Sequence, residues 1–212
     1  MNFKKIILAD DHSLIRLGLV QLLRDAFPHA EIKEVSNGEA LVKEVMLHDW
    51  DLAISDLDME GKGGLEALEQ IKVIKPELPV LILSIYPEDL YAVRVLKAGA
   101  SGYLTKNSAP EDLINAIHRI GLGKKYITPE IAEKLVDIEH SKAPHELLSN
   151  REFEIFKLLA NGKTIAQVAD SLSISVSTVS THKSNIFEKL NLSTAAELTR
   201  YAISHHIISD VG

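Results

Sequence analysis

Three aspartates carry the strongest chemical signal in this chain. Asp10 and Asp11 close one apolar run, Ile6-Ile7-Leu8-Ala9, and Asp56 closes another, Leu52-Ala53-Ile54-Ser55. Ser84 ends a third run, Val80 to Leu83, and Lys106 follows a fourth, Gly102 to Thr105. Carboxylates brought together repel one another unless a cation neutralises them, and oxygen-only ligands suit Mg2+. A lysine and a hydroxyl beside them make a phosphoryl-handling set. The metal and Lys106 can hold two phosphoryl oxygens, Ser84 can bond a third, and one carboxylate can be the nucleophile. A lone aspartate at a strand end is ordinarily a turn residue or helix cap. Five polar groups at equivalent strand ends are far harder to explain as turns.

Such a set needs a scaffold that brings strand ends to one rim. The apolar runs are short and aliphatic, and they read as buried parallel strands. Helical spacing separates them. His12 to Phe27 carries Leu14, Leu17, Leu19, Val20, Leu22 and Leu23, and Ile32 to Val35 is a short second strand. Ser36 or Asn37 caps a helix with Ala40, Leu41, Val45 and Leu47, and Gly61, Gly63 and Gly64 form the loop after Asp56. Helices are expected over 65–75, 89–98 and 110–120, the last opened by Pro110 in its first turn. Five strands interleaved with five helices imply a doubly wound α/β fold. The flavodoxin-like order 2-1-3-4-5 puts its switch point between strands one and three, where Asp10, Asp11 and Asp56 can meet.

Composition limits the alternatives. The 212 residues include no cysteine, which excludes disulfides, thiolate nucleophiles and zinc-thiolate sites. No stretch approaches a membrane span, and the first residues lead into a strand rather than a signal-peptide core, so the expected location is the cytoplasm. Residues 1–147 hold 17 Lys+Arg against 24 Asp+Glu, whereas residues 148–212 hold six of each. The acidity therefore belongs to the first part. A neutral second part is compatible with DNA binding without the basic footprint that would announce it.

The first part resembles the receiver domain of two-component response regulators. Asp10-Asp11, Asp56, Ser84 and Lys106 match that family's acidic pair, phosphoacceptor, switch hydroxyl and phosphate-binding lysine, and the stretch Lys97 to Lys106 is especially close to its pattern. The resemblance implies that Asp56 accepts phosphate from a histidine kinase. It implies that Asp11, Asp56 and the Asp58 carbonyl ligate Mg2+, with Asp10 acting through water. It makes Tyr103 the aromatic that turns inward when Ser84 swings toward phosphate. Two positions depart from the pattern: Glu60 stands where proline often does, and Gly63 where Asp or Asn is common.

Gly121 and Gly123 close the last helix of the first domain, which is expected to span 1–122. A linker over 123–147 follows, with apolar residues at helical spacing over 129–138. From Ser149 the pattern is wholly helical. Ser149 and Glu152 form a capping box for a helix to Ala160, and Thr164 to Leu172 is a second helix. The turn Ser173-Ile174-Ser175 leads into a third, Val176 to Leu190. Two helices joined in this way are helix-turn-helix geometry, although an ordinary helical hairpin has the same spacing. Leu148 to Glu152, Leu158 to Gly162, Ile174-Ser175, Thr178-Val179, His182, Asn185-Ile186 and Lys189-Leu190 are similar to the LuxR-type DNA-binding domain. Together the two halves resemble the NarL/FixJ family of transcriptional response regulators, with a small four-helix second domain over 148–212.

That resemblance implies base contacts from Ser180, Thr181 and Ser184, and phosphate contacts from Thr178, Lys183 and Lys189. Ser180 stands where lysine is common, and His182 is expected to serve packing. The final helix, Thr194 to His205, would present Ala195, Leu198, Tyr201 and Ala202 to a second copy. The implied protein is a transcription regulator and not an enzyme, apart from taking phosphate from small donors and releasing it. Its implied partners are a sensor histidine kinase, promoter DNA, a second copy of itself when phosphorylated or DNA-bound, and RNA polymerase. Two other classes fit the residues alone. A Mg2+-dependent phosphatase or phosphotransferase would need a substrate pocket that the short loops barely provide. A phosphorelay module with protein-binding helices would show no salt-dependent DNA affinity.

Overall fold

A computed structural model describes residues 3–129, 131–132, 143–205 and 207–208. The chain forms two compact units, Met1–Leu135 and Val136–Gly212. In the first, β1 (Lys5–Ala9), β2 (Glu31–Val35), β3 (Leu52–Asp56), β4 (Val80–Ser84) and β5 (Gly102–Thr105) alternate with five helices. These are α1 (Ser13–Ala26), α2 (Gly38–Leu47), α3 (Gly64–Ile74), α4 (Glu88–Lys97) and α5 (Pro110–Gly121). The sheet is wholly parallel in the order β2-β1-β3-β4-β5. Strands β3 and β4 are buried throughout, as both covered faces of a parallel sheet require, and the edge strand β2 is half exposed.

Register sets the rim. Ala9 pairs with Ser55, Asp56 with Leu83, and Ser84 with Thr105. Asp10, Asp56, Ser84 and Lys106 therefore leave the sheet within a residue or two of one level. Asn37 caps α2 by accepting the Ala40 amide at 2.8 Å, and Pro110 opens α5. Helix α1 forms where its helical spacing predicts, but its apolar residues do not share one face. Val20 and Leu23 are buried, Leu19 and Leu22 pack partly against the core, and Leu14 and Leu17 are 81% and 66% exposed. At 3.6 residues per turn these six positions spread around most of the helix, so one sheet cannot cover them all.

The first unit also extends past residue 122. Tyr126 forms a parallel bridge with Gly102, donating its amide to the Ser101 carbonyl at 2.8 Å, and Ile131 is buried. One helical turn begins at Thr128, whose carbonyl accepts the Ala132 amide. The rest of the helix expected over 129–138 lies outside the described residues.

The second unit holds a short 3-10 turn (Pro144–Leu147) and α6 (Asn150–Ala160), α7 (Ile165–Ser171), α8 (Val176–Leu190) and α9 (Ala195–Ser204). Helices α6, α7 and α9 each begin with a reciprocal capping box, Ser149/Glu152, Thr164/Gln167 and Thr194/Glu197. The turn before α8 passes through Ser173 at φ 51°, and Ser175 caps α8 through the Thr178 amide. Phe153, Phe156, Val168, Val179, Ile186, Leu190 and Leu198 form the core.

Candidate functional site

The rim brings the carboxylates together around Lys106. Its ammonium lies 2.7 Å from Asp10 Oδ2 and 2.6 Å from Asp56 Oδ2. Both aspartates are essentially buried, whereas Asp11 is partly open and His12 is exposed. Asp10 is further held by the His12 amide on Oδ1 at 2.8 Å, and its carbonyl accepts Arg16 Nη1 at 2.6 Å. Asp11 accepts the Glu60 amide at 3.3 Å, and His12 Nδ1 stands 2.6 Å from its other oxygen. Glu60 thus meets Asp11 through its backbone, and the residue itself is exposed.

Burial and this crowding set the protonation balance. Burial pushes the Asp56 carboxyl above its ordinary 3.8, and the neighbouring Asp10 charge adds to the rise against the opposing pull of Lys106. Burial works against the Lys106 charge too. Hydrogen bonds to Asp10 and Asp56 more than offset it, so the ammonium is held above its ordinary 10.5. Lys106 remains protonated.

Asp10, Asp11, His12 and Asp56 each offer a ligand atom, all within 4.8 Å of one another. Asp10 Oδ2 and Asp11 Oδ1 are buried, and the close neighbours on them are the Lys106 ammonium and the His12 imidazole. Carboxylate oxygens gathered so closely in an acidic cluster fit a hard divalent cation. The Asp58 carboxylate is outside this cluster: its Oδ2 accepts the Tyr86 hydroxyl at 2.8 Å, and its amide reaches Asp56 Oδ1 at 3.3 Å.

Ser84 is buried, and its Oγ accepts the Tyr86 amide at 3.1 Å. Tyr103 is 1% exposed and turned inward, donating its hydroxyl to the Tyr86 carbonyl at 2.8 Å. Tyr86, which no sequence pattern singles out, therefore touches the Ser84 hydroxyl, the Tyr103 hydroxyl and the loop after Asp56 at once. Its position two residues beyond Ser84 is the one signal that points to it. Burial, followed by the Asp58 charge, pushes its phenol well above the usual range, so it acts as a donor. Gly64, expected only as part of a loop, has a steric role. A Cβ there would collide with the Asp56 carbonyl, so α3 can start against the carboxylate rim only with glycine at this position.

In the second unit α8 presents Thr178, Thr181 and Ser184 on its exposed face, with Ser180 and Lys183 half-buried. Ser180, Thr181 and Ser184 donate their hydroxyls to the carbonyls of Val176, Ser177 and Ser180, at 3.0, 3.1 and 3.2 Å. Lys183 lies over the Phe187 ring, 5.4 Å from its centroid. Lys189 differs from expectation. Its ammonium is bound to the buried Glu152 at 2.6 Å, which commits it to joining α8 to α6. The expected dimer face is corrected as well. Leu198 and Ala202 are 1% and 0% exposed inside their own unit, leaving Ala195 and part of Tyr201 at the surface. An α9 stripe of period 3.6 turns inward wherever its own core needs it.

A doubly wound parallel sheet with carboxylates, lysine and hydroxyl on one rim, followed by a helix-turn-helix unit, defines a receiver joined to a DNA-binding module. The response regulator receiver domain matches residues 6–118, and the bacterial regulatory proteins of the luxR family match residues 146–202. The response regulator GacA of Pseudomonas aeruginosa is 32% identical over 208 residues, covering 96% of this chain and 97% of that protein. The oxygen regulatory protein NreC of Staphylococcus carnosus is 35% identical over 214 residues, covering 96% and 99%. Among solved structures, RcsB from Salmonella enterica serovar Typhimurium, bound to promoter rprA with the phosphomimetic BeF3-, shares 25% identity. That match covers 94% of this chain and 98% of the other, with a TM-score of 0.68. The chain belongs to the NarL/FixJ family of two-component response regulators, which carry a receiver domain and a luxR-type DNA-binding domain. No helix among the described residues is long and apolar enough to cross a membrane.

Proposed function

We propose that Asp56 is the phosphoacceptor and that its phosphorylation controls promoter binding by α8. The observation that carries this reading is the buried Asp56 carboxylate, bridged with Asp10 by Lys106 on the rim that also holds Ser84. An Asp56 oxygen attacks the phosphorus of a kinase phosphohistidine. The new P–O bond forms as the P–N bond breaks, and the electron pair returns to the imidazole. Lys106 holds one phosphoryl oxygen and Ser84 a second. Asp11, Asp56 and the Asp58 carbonyl would hold Mg2+, with Asp10 acting through water. When bound, the metal neutralises charge on the phosphoryl oxygens. Small phosphodonors can replace the kinase, and water later releases the phosphate.

The domain division follows the same reading, receiver 1–122, linker 123–147 and DNA-binding domain 148–212, with Tyr126 and Ile131 at the start of the linker packed on the receiver. Thr178, Ser180, Thr181, Lys183 and Ser184 face the major groove and its phosphates, and Lys189 supports α8 through its pair with Glu152. RcsB is described bound to a promoter, which supports promoter DNA as the partner here. Two copies of this chain would read two half-sites, through Ala195 and Tyr201 and not through Leu198 or Ala202. A sensor histidine kinase, RNA polymerase and a cytoplasmic location complete the proposal. Incubation with a phosphodonor and Mg2+ should label the wild-type chain and not Asp56→Asn; equal labelling would remove Asp56 from its role. Promoter affinity unchanged in Thr181→Ala with Lys183→Ala would remove α8 from its own.

A further inference from the structure

We infer that the hydrogen bond from Thr128 to Glu88 is the receiver's output contact, coupling the loop at the phosphoacceptor to the segment that leads toward the DNA-binding unit. The inference rests on the phosphorylation reading above. Thr128 Oγ1 donates to Glu88 Oε2 at 2.8 Å, between residues 40 positions apart. The same hydroxyl faces the Ile131 amide at 3.5 Å, and the Thr128 carbonyl accepts Ala132 N at 3.0 Å. Thr128 is thus both the N-cap of a helical turn opened by Pro129 and the point where that turn is fixed to the first residue of α4.

Glu88 is four residues beyond Ser84, and Tyr86 between them is bound to the site. The Tyr86 amide is held by Ser84 Oγ, its carbonyl by Tyr103, and its hydroxyl by Asp58. Pro87, at φ -57°, joins this loop to α4 with little torsional slack. A Ser84 hydroxyl that turns to a phosphoryl oxygen on Asp56 gives up its bond to Tyr86. The loop then resettles with Glu88 at its far end. A 2.8 Å hydrogen bond does not survive a displacement of about 1 Å.

A second observation shows that this segment is seated on the sheet rather than merely nearby. Tyr126 extends the sheet beside β5 through its bridge to Gly102 and packs against the apolar core. A Cβ on Gly102 would sit 3.0 Å from Tyr126 Cβ and 3.1 Å from the Tyr126 carbonyl, so glycine permits the approach. Ile131, 2% exposed, anchors the next turn. The segment 126–132 is therefore held at three places, and the Thr128 bond is the one that reaches the phosphorylation loop.

Amide hydrogen exchange over 126–132, measured on the full chain with and without phosphodonor and Mg2+, tests this. Phosphate incorporation and promoter affinity are followed in parallel. Wild type should exchange about five- to tenfold faster in this segment once phosphorylated, the amount expected when one hydrogen bond is broken, and Asp56→Asn should not respond. Thr128→Val and Glu88→Ala should take up phosphate as wild type does, exchange fast without it, and lose the phosphorylation-dependent change in promoter affinity. Glu88→Gln keeps an acceptor and should behave as wild type. Phosphate uptake with unchanged exchange in wild type would overturn the inference, as would a full affinity response in Thr128→Val. A wild type that takes up no phosphate would strike the phosphorylation reading instead. In that case, equal exchange in wild type and Thr128→Val would still overturn the role of the bond.

Discussion

Lys106→Met isolates the electrostatics of the rim. Methionine keeps the length and apolar stem of the side chain and removes the ammonium between Asp10 and Asp56. Both carboxylates are buried, so the variant leaves two uncompensated charges close together. Removing one partner of a buried ion pair costs about 3–5 kcal/mol, a large share of the roughly 5–15 kcal/mol that keeps a domain folded. Two dependences follow. The Asp56 carboxyl already titrates above its ordinary 3.8, and losing Lys106 raises it further. A carboxyl with a raised folded pKa destabilises the fold when ionised, so the penalty shrinks as pH falls through that folded value. Mg2+ should restore part of the loss, about 2.7 kcal/mol at roughly a hundred times its Kd. Urea unfolding followed by Trp50, the chain's one tryptophan, reports on this unit directly, because the indole is buried there and donates to the Glu44 carbonyl. A loss below about 1 kcal/mol in metal-free neutral buffer, well short of the buried-pair cost, would refute the reasoning. So would a loss that is the same in acid.

Gly64→Ala should cost about 1–3 kcal/mol and slow phosphate incorporation, because relief of the clash displaces the Asp56 backbone; urea titration and labelling read the two effects separately. Burial alone would raise the Glu152 carboxyl, but Lys189 and the Ser149 amide and hydroxyl outweigh it and hold it below 4.5. Its stabilisation is fully present above that ordinary value and fades as pH falls through the lower folded one. Far-UV circular dichroism of an acid titration should show the loss, and Glu152→Gln should flatten it. Lys183→Ala should reduce the slope of log affinity against log salt by about 0.9 for each DNA phosphate that the lysine neutralises. Lys189→Ala should change that slope little and lower thermal stability instead, as expected of a lysine already engaged by Glu152.

The features legible in the sequence are those written in neighbouring residues. The continuous apolar runs of β3 and β4, the Asn37 cap and the Ser149/Glu152 box each depend on residues within a few positions, and the structure realises them. Strand order follows from alternation of strands and helices, and it places Asp10, Asp56, Ser84 and Lys106 together. What escapes depends on distant partners. Lys189 looks free in the sequence because Glu152 lies 37 residues away. Leu198 and Ala202 look available because nothing local shows which side of α9 the core occupies. Six aliphatic residues in α1 look like one face because spacing alone does not separate a wide stripe from an encircling one. Tyr86 is an ordinary loop residue until Asp58, Ser84 and Tyr103 close around it.

The reciprocal caps of the second unit bear on how such a protein can be controlled. Three of the four helices among its described residues start with paired bonds between residues three apart. Bonds of that span close minimal loops, so they form at small entropic cost before any long-range packing. Helix starts specified so locally owe nothing to the residues of the preceding unit. Helix α8 lacks the reciprocal box but is capped just as locally, by Ser175 accepting the Thr178 amide, so its start is likewise independent of the preceding unit. Regulation is left to act on who reaches that helix, and on how many copies meet.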